Sequence, residues 1–139
     1  MTATYDYFEH DADIGVMGRG PTIEAAFEQA AAAMFAIMAA ESVSPAATHE
    51  TVTATFEESD PELALVTWLN ELLTSAQSRG LLLTDFRLTR RGDRWTGEGT
   101  GVPWPPGAEV GVEVKGATLT MLSVRETDGT WEARCVVDV

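Results

Sequence analysis

The chain has 139 residues, 45% of them hydrophobic and 22% charged, which is typical of one globular domain with its own core. Its 22 acidic residues outnumber 9 basic ones for a net charge of −13, so direct nucleic-acid binding over a broad face, which draws on clustered Lys and Arg, is not expected. One cysteine rules out an internal disulfide, and neither a membrane span nor a signal peptide is visible, so we expect a single cytoplasmic domain over residues 1–139.

The first half of the chain alternates strand and helix patterns. "YDYFEH" alternates aromatic and polar residues like a half-buried strand, and "DIGVMGRG" continues the pattern, which would place Asp11 and Asp13 together on the side opposite the apolar residues. A helix is predicted to begin near Pro21 or Thr22 and to turn an apolar stripe toward the core. After a loop at 41–48, "ETVTATFEE" predicts another strand.

The second half contains one helix followed by a run of strands. "SDPELALVTWLNELLTSAQSRG" predicts a helix with Ser59 or Asp60 as N-cap and Gly80 as its stop. Two strands joined at "RGD", a loop in "VPWPPG", a strand pattern in "AEVGVEVKG" and a hairpin turning at Asp128–Gly129 follow, with Cys135 at a buried strand position. This order predicts an α+β fold: a two-layer sandwich with two helices packed on one face of a mainly antiparallel or mixed sheet.

Asp13 and Asp138 stand out chemically, because each interrupts the apolar pattern of a core strand, in "DADIGV" and in "CVVDV". Three Cys and His residues are too few for a zinc site, and the chain has no phosphate-binding glycine loop and no nucleophile motif. Carboxylates and carbonyls suit hard divalent cations. Val139 adds its carbonyl and terminal carboxylate beside Asp138, so a final strand next to the first would gather a metal site; solvated carboxylates at strand ends are the alternative.

Several stretches, taken together, resemble the archease family from residue 8 to the end of the chain: "HDADIGV", "GPTIEAAFEQAAAAMFAIM", "DPELALVTWLNELL", "VEVKGATLTML" and the closing "VVDV". The resemblance implies an accessory protein, not an enzyme, that activates an RtcB-type RNA ligase. Such a ligase joins 3′-phosphate and 5′-hydroxyl RNA ends with GTP and divalent metal in tRNA splicing and RNA repair. The resemblance also implies a divalent ion, calcium with magnesium or manganese as alternatives, held by Asp13, Asp138 and Val139.

The chain departs from the family pattern at three positions. Asp11 replaces a Thr and, if the strand alternation holds, would add a carboxylate beside Asp13; a solvated surface carboxylate is the alternative. Thr120 stands where archaeal members often have His, and Gly116 replaces an Ala. Lys115, the only lysine, is kept and is expected near the acidic site, pairing with a carboxylate or a ligase group; a surface lysine on an edge strand is the alternative.

Two other functions are compatible with the sequence. A general chaperone or protein-interaction module would stimulate unrelated clients and would not need Asp13. A small metal-dependent hydrolase built on the same carboxylates would turn over a phosphoester by itself, although no general base or nucleophile is identifiable. The acidic composition agrees with docking on a basic, RNA-binding enzyme, because opposite charges speed the encounter of two proteins; cation binding and, by default, solubility alone are the alternatives.

Overall fold

The structure is a computed structural model that describes residues 2–39, 48–104 and 111–139. Within these residues the chain forms eight strands and two helices. The strands are β1 (Thr4–His10), β2 (Asp13–Gly20), β3 (Glu50–Glu57), β4 (Leu81–Arg91), β5 (Arg94–Pro103), β6 (Gly116–Ala117), β7 (Ser123–Thr127) and β8 (Thr130–Asp138). The helices are α1 (Ile23–Met38) and α2 (Pro61–Arg79).

All of the strand pairs are antiparallel. One sheet has the order β1-β2-β8-β6, with β7 also paired to β8, and the second has the order β3-β5-β4. The predicted α+β fold is therefore confirmed, with its strands divided between two sheets rather than joined in one. Neither helix in the described ranges is long and apolar enough to span a bilayer.

Both helices begin at the residues that the sequence indicates. The Thr22 hydroxyl caps α1 by accepting the N–H of Ala25 at 3.0 Å. The Asp60 carboxylate caps α2 by accepting the N–H of Glu62 at 2.9 Å, and Gly80 ends α2 in the left-handed conformation with φ 65°. Each N-cap satisfies a backbone group that a helix end leaves without a partner, and contributes about 1 kcal/mol to stability.

Helix α1 packs between the two sheets. On one side, Gly18 of β2 lies so close to the helix that a Cβ atom there would overlap the main chain at Ala26 and Ala30. On the other side, Phe27 of α1 stacks on Trp95 of β5 with the ring centroids 5.0 Å apart. The missing side chain at Gly18 thus sets the distance between α1 and the first sheet.

Two predicted turns are confirmed, and one turn was not predicted. Two-residue turns at Gly92–Asp93 and Asp128–Gly129 join β4 to β5 and β7 to β8. Asp11–Ala12 forms a further turn, between β1 and β2, in which Asp11 has φ 51°. The prediction of one strand running through Asp11 is therefore wrong, and strand alternation does not place its side chain with that of Asp13. Aspartate tolerates this left-handed conformation better than most residues.

Part of the predicted loop and strand pattern cannot be compared with the structure. Residues 40–47, which contain nearly all of the predicted 41–48 loop, lie outside the described residues, as do residues 105–110 in "VPWPPG" and "AEVGVEVKG". Strand β5 continues to Pro103, further than predicted. Residues 111–115 form no strand, and only the two-residue β6 remains of the strand predicted there.

Cys135 is fully buried on β8, as predicted, and burial raises the pKa of its thiol to about 12. Because the thiolate is the reactive form, we expect iodoacetamide at about pH 8 to leave the folded protein unmodified and to alkylate Cys135 only in denaturant. Mass spectrometry of timed, acid-quenched samples measures both rates. Equal rates with and without denaturant would contradict the buried, protonated thiol.

Candidate metal site at the ends of three strands

The last residue of β1, the first residue of β2 and the last residue of β8 lie side by side at one end of the first sheet, here termed the carboxylate edge. The β1–β2 register pairs His10 with Asp13, and the β2–β8 register pairs Ile14 with Val137. Continuing that register by one residue sets Asp13 opposite Asp138. Residues opposite each other on neighbouring strands project from the same face, so the two carboxylates share one face of the sheet.

A direct contact links Asp13 to the last residue of the chain. The main-chain N–H of Val139 donates to Oδ1 of Asp13 at 3.3 Å. Asp13 and Val139 are half-buried, whereas Asp138 is exposed. The fold therefore brings the Asp13 carboxylate to the main chain of Val139 at the strand end where Asp138 also lies, and the metal site that the sequence predicts from these three residues stays a prediction.

The charges at this edge favour a bound cation. Within the described ranges, neither Asp13 nor Asp138 forms an ion pair with a basic side chain. Like charges opposite each other on neighbouring strands destabilise a sheet, so a cation between the two carboxylates would replace a repulsion with two attractions. Oxygen ligands are those that calcium, magnesium and manganese prefer.

Carboxylate and imidazole side chains alone do not complete a metal site here. Among residues 2–39, 48–104 and 111–139, no group of three or more His, Cys, Asp and Glu is arranged to hold a metal ion. Calcium takes about six to eight oxygen ligands, and it accepts main-chain carbonyls and water among them. The set of Asp13, Asp138 and Val139 fits a hard divalent cation on these terms, with solvent supplying the remaining ligands.

Asp11 and His10 lie beside this edge. The Asp11 side chain is 92% exposed, and its Oδ2 lies 3.9 Å from Nδ1 of His10. Nδ1 of His10 is buried and has no hydrogen-bond partner among the described residues. The sequence assigned no role to His10, although His10 is close to Asp13 in "HDADIG". Only the β1–β2 register shows that His10 stands directly opposite Asp13.

The main chain at Lys115 is fixed next to Asp138. The N–H of Lys115 donates to the carbonyl oxygen of Asp138 at 2.8 Å, and Gly116 pairs with Asp138 in the sheet. The Lys115 side chain is exposed and forms no ion pair with any residue that the structure describes. Pairing of its ammonium with a carboxylate or a ligase group stays a prediction.

Two amides of α2 hold the segment that carries Lys115, and sequence analysis missed them. Asn70 accepts the N–H of Ala117 at 2.8 Å and donates to the carbonyl oxygen of Ala117 at 3.2 Å. Gln77 donates to the carbonyl oxygen of Val114 at 3.3 Å. Asn70 and Gln77 are two helical turns apart, so both lie on one side of α2. Their hydrogen bonds hold the main chain on either side of Lys115.

The loop between β6 and β7 borders the same edge. Thr120 is exposed, and its carbonyl oxygen accepts the N–H of Val136 at 3.0 Å. Its neighbours Leu119 and Met121 are 64% and 48% exposed. Two apolar side chains therefore stand in solvent on the loop that is bonded to Val136, two residues before Asp138 on β8, where a protein partner could cover them.

These features define a small α+β protein with a paired-carboxylate edge, a fixed lysine segment and an exposed apolar loop. Comparison with known proteins identifies the family to which this fold belongs. The model of the archease protein family (MTH1598/TM1083) matches residues 5–139, so the chain belongs to the archease family.

Relatives and solved structures match along nearly the whole chain. The chain is 32% identical to the archease of Methanothermobacter thermautotrophicus and 34% identical to that of Thermococcus kodakarensis, each match covering 97% of this chain and 98% of the relative. The solution structure of Methanobacterium thermoautotrophicum protein 1598 superposes with a TM-score of 0.77 at 32% identity, covering 97% of this chain and 98% of that one. A crystal structure of a Thermotoga maritima archease, described as a possible chaperone, shares the fold with a TM-score of 0.66 at 19% identity, covering 95% and 94%.

Proposed function

We propose that this protein is a cytoplasmic accessory factor that activates an RtcB-type RNA ligase, promoting its guanylylation and repeated turnover in tRNA splicing and RNA repair. Membership of the archease family supports the proposal. The structural observation that carries it is the contact between Val139 and Asp13, which gathers the carboxylates at one exposed edge. In this proposal the joining chemistry belongs to the ligase.

The proposed edge would hold a divalent ion, calcium or else magnesium or manganese. When bound, the ion supplies a positive charge at an edge that is otherwise negative. Asp13 and Asp138 would hold it through their carboxylates, and Val139 through its main-chain oxygen. Asn70 and Gln77 would keep the main chain at Lys115 in place, so that the ammonium group extends from a fixed point beside the site.

The surroundings of this edge support docking of a protein partner. A partner approaching it would meet carboxylates, the ammonium of Lys115 and the apolar side chains of Leu119 and Met121, and such a mixture is typical of a protein interface. The net charge of −13 favours a basic, RNA-binding partner. Because salt screens such steering, association with the ligase should slow as ionic strength rises.

Multiple-turnover RNA joining by the cognate ligase tests the proposal. The assay contains GTP, limiting divalent metal and RNA fragments with 3′-phosphate and 5′-hydroxyl ends, with and without this protein. We expect the protein to raise the amount of joined RNA per ligase well beyond one turnover, and to join no RNA alone.

Two controls separate the other functions. Suppression of the aggregation of an unrelated, heat-denatured enzyme, without any effect on the ligase, would indicate a general chaperone. Turnover of a phosphoester by the protein alone would indicate a hydrolase. Failure to stimulate the ligase at every metal concentration tested would refute the activator role.

A further inference from the structure

The β4–β5 hairpin concentrates positive charge in an acidic protein. Residues 87–94 contain four of the chain's eight arginines and one aspartate, so this segment carries a charge of +3 in a chain of net charge −13. Arg87 stands opposite Glu98, which offsets its charge. Arg90, Arg91 and Arg94 remain as a group of cations around the turn.

Two of these arginines oppose each other directly. Arg91 pairs with Arg94 across the hairpin, and both side chains are exposed. Like charges in this position destabilise a strand pair. Glu57 lies 3.9 Å from the guanidinium of Arg94, but both side chains are more than half exposed, and such surface ion pairs contribute little. A bound anion would turn the repulsion between the two arginines into a pair of attractions.

The third arginine is already held in place. The guanidinium of Arg90 lies over the ring of Trp95, 4.6 Å from its centroid, and its Nε donates to the carbonyl oxygen of Gly92 at 2.8 Å. Both contacts restrict the side chain, while the two terminal nitrogens of the guanidinium keep further N–H donors. Arg90 and Trp95 project from the face of the hairpin opposite to Arg91 and Arg94, so Arg90 adds positive charge near the turn, while Arg91 and Arg94 would contact the anion.

Arg91 and Arg94, with Thr89 and Thr96 on the same face of the hairpin, line a depression of about 480 Å³, and Arg90 contributes to its lining from the neighbouring position. Thr89 and Thr96 are cross-strand partners, and the Thr89 hydroxyl donates to the carbonyl oxygen of Thr96 at 3.1 Å. The lining side chains are thus guanidinium and hydroxyl groups. The Thr89 O–H is already donated to Thr96, so the guanidinium N–H groups and the Thr96 hydroxyl remain as donors. A tetrahedral phosphate, with several acceptor oxygens, matches such a set of donors.

We propose that this depression binds phosphate groups in the backbone of a nucleic acid. The contact covers one hairpin rather than a broad face, so it is compatible with the acidity of the whole chain. It goes beyond the proposed function and does not depend on the ligase.

The surroundings favour a nucleic-acid backbone over an acidic protein. Protein interfaces normally have an apolar core, yet the large apolar side chains exposed in the described ranges all lie outside β3, β4 and β5. The surroundings also argue against base recognition. Trp95 is fully buried beneath Arg90, so it offers no ring on which a base could stack. The contact should therefore be independent of nucleotide sequence and should include phosphates alone.

The arginine depression is remote from the carboxylate edge. Trp95 stacks on Phe27 in the first half of α1, whereas the hydroxyl of Tyr7 in β1 donates to the carbonyl oxygen of Ala33 in the second half, at 2.8 Å. The carboxylates lie beyond Tyr7, at the far end of β1. Substitutions in the arginine depression should therefore leave calcium binding at Asp13 unchanged.

Fluorescence anisotropy of a labelled 12-nucleotide poly(U) RNA at several salt concentrations tests this inference. The test variant is Arg91→Gln with Arg94→Gln. The matched control is Arg79→Gln with Arg125→Gln, which removes the same charge from arginines that are 46% and 60% exposed and lie elsewhere. Circular dichroism checks that both variants are folded.

We expect the test variant to bind RNA at least tenfold more weakly than the wild type at low salt, and the control to change affinity less than about threefold. Each phosphate contact on a single strand contributes about −0.7 to the slope of log affinity against log salt, so losing two contacts should flatten that slope by about 1.4. A DNA strand of the same length should bind equally well, since no 2′-hydroxyl contact is proposed.

Three results would overturn the inference. One is the absence of RNA binding by the wild type at low salt, and another is an equal loss of binding in both double variants. The third is binding of an acidic peptide such as polyglutamate in preference to RNA, which would assign the depression to a protein partner. None of these measurements involves the ligase, so the activator proposal can fail or succeed independently.

Discussion

Replacing Trp68 with alanine should lower the free energy of unfolding by about 3 to 5 kcal/mol. Trp68 is fully buried on α2, its ring packs against Gly97 of β5, and its Nε1 donates to the carbonyl oxygen of Phe27 at 3.0 Å. Truncation would open a cavity where both helices and the second sheet meet. Small domains are stable by only about 5 to 15 kcal/mol, so this one change should remove much of the stability of the fold.

Urea denaturation followed by far-UV circular dichroism measures this loss. Trp68→Phe serves as the matched control, because it keeps an aromatic ring and removes the indole N–H, and it should cost less than the alanine variant. A Trp68→Ala variant with a stability within about 1 kcal/mol of the wild type would contradict the central position of the ring.

Gly97 allows a finer test of the same contact. A Cβ atom at Gly97 would overlap the Trp68 ring, so Gly97→Ala should destabilise the wild type. In the Trp68→Ala background the overlap with the ring is gone, and the same substitution should cost less. Strictly additive losses in this double-mutant cycle would mean that the two residues do not interact.

Local sequence signals predicted the helices and most turns because the physical cause of each is local. Thr22 and Asp60 cap helices through their own side chains, and Gly80 adopts the backbone conformation that ends α2. The Asp11–Ala12 turn was missed because Asp-Ala is not a common turn pair. A usable signal was nevertheless present: the alternating aromatic and apolar positions have odd numbers at Tyr5 and Tyr7 but even numbers at Ile14 and Val16, which one continuous strand cannot do.

The division of the strands into two sheets could not be predicted, because it depends on pairing between distant segments. Phe56 pairs with Trp95, for example, and alternation within either strand does not specify the other as its partner. The roles of Asn70 and Gln77 were hidden for the same reason. An amide on a helix resembles any surface residue until the segment from Val114 to Ala117 is seen to pack against it.

Asp13 and Asp138, in contrast, could be selected from the sequence, because a charged residue that interrupts an apolar strand is conspicuous wherever the partner strand lies. Their common edge follows from the register of β2 with β8, which the sequence does not reveal. The structure thus adds the proximity on which a shared function would depend.

The second large effect is expected at this edge. Asp13→Asn combined with Asp138→Asn should weaken calcium binding by more than about 100-fold, since even groups that only orient metal ligands contribute about 10- to 100-fold to affinity. The amide keeps the shape of the carboxylate and an oxygen that can accept the N–H of Val139, but it removes both negative charges. Ligase stimulation should disappear together with metal binding.

Isothermal titration with calcium, and thermal unfolding with calcium or with a chelator, measure metal binding without the ligase. Calcium should raise the Tm of the wild type, because a ligand that binds only the folded state stabilises it, and should leave the Tm of the double variant unchanged. In chelator the order should reverse: the double variant should be at least as stable as the wild type, because it lacks the repulsion between Asp13 and Asp138.

Asp11→Asn is the control that decides which carboxylates matter. It removes the same single charge as Asp13→Asn, two residues away, from a side chain that is 92% exposed, and asparagine tolerates the positive φ of this turn. We expect it to bind calcium and stimulate the ligase like the wild type. If Asp11→Asn weakens binding as much as Asp13→Asn, general negative charge rather than the strand-end pair attracts the ion. If the double variant loses stimulation but still binds calcium, the carboxylates contact the ligase instead of a metal.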